Sequence, residues 1–242
     1  MRREPQPADQ LQESADSEML EEIEERFKNF FELSEEEEGS LREKVEQSRG
    51  LVRIFVHPYF VEHEKEWNEE SKKKLLSIDR ALRILALTDS EKSPPVLCME
   101  ESGKMGELKQ RLKTPDYQEG FSGEVKNDVY IIPTAKSDPL PVFDDSRRIR
   151  SDYSEQEEAE NWKRLTLQLK KMGVKKVLVG GMFLDFFGPE KEGDTDAWGC
   201  VGRTIELLEK DFKVQLSNLT YSERGLEEDY EPKRKKLRKK FK

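Results

Sequence analysis

An α/β fold is predicted for this chain: a three-layer α/β/α sandwich around a mostly parallel sheet, preceded by an N-terminal helical arm. Three observations predict it. Short apolar runs recur at Leu51–Val56, Pro95–Met99, Val129–Ile132, Val177–Gly181 and Lys213–Asn218. Amphipathic stretches of helical period separate most of these runs, the rhythm of strands joined by crossover helices. Within the runs apolar residues sit at consecutive rather than alternating positions, which suits strands covered on both faces.

Taken in order, the first element expected is a helix carrying Leu20, Ile23, Phe27 and Phe30, spaced by three, four and three residues, beside Phe31 and Leu33. Its apolar face can cover the core, pair two copies of the chain or enter a partner's groove. Glu35 to Glu38 with Gly39 and Ser40 reads as a helix end or linker, and disorder is expected before Ser17. After the strand at Leu51–Val56, Leu75, Ile78, Leu82 and Leu85 form one helical stripe. Trp162, Leu165, Leu169 and Met172 form another, closed by Gly173, the residue type that ends helices most readily. Val201, Ile205, Leu208 and Phe212 form a third, leading into the last strand.

Charge divides the chain into three parts. Residues 1–48 are an acidic, partly helical arm with sixteen acidic and six basic side chains. Residues 49–222 form the α/β domain. Residues 223–242 are a tail expected to be disordered, and its final ten residues carry eight Lys or Arg. That tail can bind phosphates by counterion release, yet Phe241 alone offers stacking and no nucleic-acid-binding fold surrounds it, so the nucleic-acid signal is weak. The chain is 34% apolar and 39% charged, which confines the core to a few segments. No apolar run approaches the 18 or so residues of a membrane span, and Met1-Arg2-Arg3-Glu4-Pro5 lacks the apolar stretch of a signal peptide. No membrane association and a cytoplasmic location are expected. Cys98 and Cys200 have no metal-type spacing, and both are expected to be free thiols.

In open parallel sheets ligands bind outside the carboxyl ends of the strands. The residues there are polar: His57 after the first strand, Glu100 and Glu101 after the second, Thr134 and Lys136 after the third, Gly181 and Asn218 at the last two. Cys200 stands where the helix after Val177–Gly181 begins, so the positive end of the helix dipole favours its thiolate, the nucleophilic form. Cys98, inside a strand, reads as a small core residue. Asp194 and Asp196 read as a solvated loop rather than metal ligands, and no metal or cofactor is expected. Gly180-Gly181 reads as a place of close packing, since no phosphate-binding glycine motif is present. A nuclease would require Glu100, Glu101, Asp194 and Asp196 to gather a divalent ion, while the first strand ends in His57-Pro58 rather than an acid.

The glycine-ended strand, then Cys200-Val201, then Thr204, a helix and a strand from Lys213 resemble the closing half of the isochorismatase-like cysteine hydrolases. The resemblance covers Leu165 to Asn218 best and the earlier strands by order only. It implies a thiol nucleophile at Cys200, a lysine after the third strand at Lys136, and an acid after the first strand, where this chain has His57. An imidazole can deprotonate a thiol in the acid's place. The segment from Asp185 to Gly199 also lengthens a connection that is short in that family. Two functions follow: a cysteine hydrolase of an amide or related small molecule using Cys200, Lys136 and His57, or a catalytically inactive member of the fold serving as a binding or scaffolding protein.

Overall fold

Consecutive apolar residues become strands here because a crossover-connected sheet buries both of its faces. The computed structural model describes residues 27–30, 32–57, 93–101, 129–135, 139–143, 153–181, 184 and 199–220. In chain order these form β1 (Phe27–Asn29), α1 (Glu35–Gln47), β2 (Leu51–Val56), β3 (Val96–Glu101), β4 (Val129–Thr134), α2 (Glu155–Lys171), β5 (Lys176–Gly181), α3 (Cys200–Leu208) and β6 (Lys213–Thr220). The sheet runs β1-β4-β3-β2-β5-β6, and every strand pair in it is parallel. The stripe from Leu75 to Leu85, the basic tail, Lys136, Asp194 and Asp196 lie outside the described residues.

Successive side chains of a strand point to opposite faces. Ile54, Phe55 and Val56 of β2, Leu97, Cys98 and Met99 of β3, and Tyr130, Ile131 and Ile132 of β4 are all buried, so both faces of the central sheet are covered. This is the expected α/β sandwich. One face carries α1 through Leu41 and Val45, α2 through Trp162, Leu165 and Leu169, and α3 through Val201, Ile205 and Leu208, which share one core cluster with Ile54, Met99 and Ile132.

The helix ends obey local rules. α2 starts at Ser154, whose hydroxyl accepts from the Glu157 N–H at 3.3 Å while the Glu157 carboxylate accepts from the Ser154 N–H at 2.9 Å. Such a reciprocal cap satisfies two otherwise unpaired donors. Ser154→Ala is expected to cost about 1 kcal/mol, read as a lower urea midpoint at unchanged m-value. At the far end Gly173 adopts φ +86°, as its position after the Trp162 stripe predicts.

The arm departs from expectation in two places. Phe27 is not on a helix: Phe27–Asn29 is a strand pairing parallel with Val129–Ile131, and the Phe30 N–H continues the ladder to the Ile131 carbonyl. A spacing of three, four and three over so short a run does not by itself specify a helix, and the unpaired backbone of β4 supplies the competing partner. Glu35 to Ser40 is a helix beginning rather than a helix end or linker. Ser34 and Glu37 form a second reciprocal cap, and Glu35, Glu36, Glu37 and Glu38 occupy the first turn, where the dipole favours negative charge. Among the described residues no helix is long and apolar enough to cross a membrane.

Candidate functional site

β2 has β3 on one side and β5 on the other. The chain builds outward in both directions from it, and a crevice opens at the carboxyl tips where such a sheet reverses its order. His57, directly after β2, and Gly181, the last residue of β5, stand at that reversal, with Val56 in register with Gly181.

The backbone there is unusual. Gly181 has φ +125°, and an added Cβ would collide with the Val56 backbone, the Val56 nitrogen lying 2.7 Å away. At Gly180 a Cβ would lie 2.7 Å from the Leu219 carbonyl oxygen. The pair thus permits close strand approach, as the absence of a phosphate motif indicates. Opposite them β6 is irregular: Val179 pairs with Leu216 but Gly181 with Thr220. The surplus is folded locally, with the Ser217 hydroxyl accepting from the Leu219 N–H and the Thr220 hydroxyl donating to the Ser217 carbonyl.

His57 has φ +47°, in the left-handed region. A side chain in that region costs roughly 1–2 kcal/mol, so surrounding interactions must hold it. Its N–H donates to the Met99 carbonyl at 2.8 Å, and its Nε2 lies 3.2 Å from the Thr134 hydroxyl oxygen at the tip of β4. The residue is 2% exposed. Glu100, near the end of the intervening strand β3 and in register with Pro133, is equally buried. Thr134 as the partner of His57 is an addition that sequence pattern could not make, because the two lie far apart in the chain; their shared placement after strands was the available signal.

Cys200 is the first residue of α3, as predicted, and the helix has no side-chain cap. The Gly199 N–H donates to the Leu184 carbonyl at 2.9 Å, anchoring the helix start close beyond the end of β5. Because α3 returns from β5 to the parallel strand β6, its amino end lies at the same edge of the sheet as His57. The Cys200 side chain is in the core cluster, with the residue 8% exposed. The Thr204 hydroxyl donates to the Cys200 carbonyl at 2.8 Å, which ties down the first turn. Cys98 lies inside β3; burial first, and the Glu100 charge second, push its thiol well above the ordinary range. It therefore stays protonated. The structure thus joins His57 to Thr134 and places Cys200 at their edge of the sheet, while Lys136 lies outside the described residues.

Among the described residues no three His, Cys, Asp or Glu side chains gather to hold a metal. An open groove of about 430 Å³ between α2 and α3 is flanked by the Arg203–Glu158 and Lys170–Asp211 ion pairs and includes none of the strand-tip residues. Comparison with protein-family models, with curated proteins and with solved structures found no match.

Proposed function

We propose that the chain is a divergent cysteine hydrolase of isochorismatase-like architecture, acting on an amide or a related small-molecule substrate. The observation that carries this reading is His57: a buried imidazole held in a left-handed backbone at the reversal of strand order, on the edge where α3 presents Cys200. Backbone strain of this kind persists where the surroundings enforce it, and it clusters at functional sites.

In this reaction the Cys200 sulfur adds to the substrate carbonyl as its proton passes to His57 Nε2. The oxyanion is met by N–H groups of the first turn of α3, left without a side-chain cap, and by the Lys136 ammonium. Collapse breaks the carbon–nitrogen bond, the imidazolium returns its proton to the leaving amine, and a thioester remains. Water, deprotonated by the same imidazole, cleaves the thioester and restores the thiol.

The burial of Cys200 favours the second reading, an inactive member of the fold used for binding or scaffolding. Alkylation of the native full chain with iodoacetamide separates the two. The hydrolase reading expects one adduct, on Cys200, with a labelling midpoint below that of an ordinary thiol, and Cys98 unmodified until denaturation. A native chain that takes up no label at Cys200 ends the hydrolase reading and leaves the scaffold.

A further inference from the structure

α2 leads into β5 and α3 follows it, so the two helices run in the same direction across one face of the sheet. Their ion pairs mark the ends of the groove between them: Arg203 with Glu158 near the helix starts, Lys170 with Asp211 near the helix ends. Trp162 and Leu207 line its floor, and Leu167 stands at it 55% exposed, the one exposed large apolar side chain among the described residues. Apolar surface in a concavity rimmed by charge is the usual character of a protein contact site.

Two features make this groove complementary to itself once its direction is reversed. The starting end holds two acids and one base, Glu155, Glu158 and Arg203; the far end holds two bases and one acid, Lys170, Lys210 and Asp211. Glu155 and Lys210 are exposed, and neither has a hydrogen bond or ion pair among the described residues. Lys170, whose partner Asp211 adjoins Lys210 in sequence, lies about 22 Å along α2 from Glu155 at 1.5 Å per residue, so Glu155 and Lys210 cannot meet within one chain. The second feature is steric. Leu167 and Ala159 both line the groove, four residues on either side of Lys163, so a large side chain at one end answers a small one at the other.

We propose that this groove is the dimerisation surface of the chain, its occupant the same groove of a second copy, related by a two-fold axis that crosses it near Lys163. Groove direction then reverses between the copies. Glu155 of each copy faces Lys210 of the other, and each Leu167 enters the space beside the other copy's Ala159. Such a contact is isologous, so every pair occurs twice and the assembly closes at two. The two Lys163 ammonium groups are like charges near the axis, and their long stems let them part into water. The surface includes none of the strand-tip residues, so it stands whether or not the chain is a hydrolase.

Analytical ultracentrifugation of the full chain tests it. The wild type is expected to sediment as a dimer at about 100 µM and to dissociate on dilution, and Leu167→Asp to be monomeric at the same concentration with an unchanged circular dichroism spectrum. Glu155→Lys and Lys210→Glu are each expected to weaken association about tenfold, and the double variant to restore it. Restoration is a signature of contact between copies, since the two positions are too far apart to pair within one. A wild type that stays monomeric at that concentration, a result that requires no variant to fold, overturns the assignment and leaves the groove to a different occupant. A dimer untouched by Leu167→Asp places the contact elsewhere on the chain and overturns it too, as does a double variant no tighter than the single ones.

Discussion

Gly181→Ala is expected to cost about 3–5 kcal/mol, a large share of the roughly 5–15 kcal/mol that holds a typical domain together. Two effects add at this position. The φ of +125° is a conformation that side-chain-bearing residues rarely adopt, and the new methyl would meet the Val56 backbone, its nitrogen only 2.7 Å away. Backbone cannot rotate aside as a flexible side chain can, so relief requires parting β2 from β5. These strands are neighbours in the interior of the sheet, in register from Leu51 with Lys176 to Val56 with Gly181. Urea titration followed by circular dichroism checks the expectation. Gly173→Ala serves as the comparison: its φ is +86° but nothing lies within 4 Å of the added carbon, so only the backbone effect, about 1–2 kcal/mol, is expected.

On the proposed hydrolase reading, His57→Asn is expected to leave the fold intact and to remove a factor of about 10²–10⁴ from the hydrolytic rate, the usual contribution of a positioned general base. Asparagine tolerates the left-handed backbone better than most residues, so φ +47° is retained at little cost. Its amide can also reach for a hydrogen bond where the imidazole met Thr134, but at neutral pH it cannot take a proton. Initial rates on a panel of chromogenic anilides, read beside a thermal melt, separate lost chemistry from lost structure. An equal rate in the variant shows that some other group removes the thiol proton.

Much of the sheet was legible because its strands are written as apolar runs. Leu51–Val56 is matched end for end, and the other four are found with ends shifted by one or two residues. Strand ends are hard to read where the sequence turns polar while pairing continues, as at Glu100-Glu101 opposite Pro133-Thr134. β1 was illegible for a different reason: three residues carry too little pattern to outweigh a chance helical spacing, and the decision lay with β4, about a hundred residues away. The start of α1 was legible in principle. Ser34 followed three residues later by Glu37 is the capping signature, hidden by an acidic run that reads as a linker when the dipole is not considered.

At the site, positions were legible and partners were not. The ends of the apolar runs told which residues follow strands, and His57, Glu100 and Thr134 were named from them, while Cys200 was named from the helix start after Val177–Gly181. What no sequence rule supplies is the φ of His57 or the direction of its ring, since both depend on backbone that arrives from β3 and β4.

The placement of β2 at the middle of the sheet has a consequence for biosynthesis. Leu51 pairs with Lys176, so at ~5–20 residues per second a ribosome needs roughly 6–25 s to deliver the second neighbour after the first edge has emerged. During that interval Ile54 and Val56 belong to an open-sided strand, a template for any other nascent chain nearby. Yield in cells should accordingly depend on holdase chaperones and on slow, cool expression more than the stability of the finished sheet suggests.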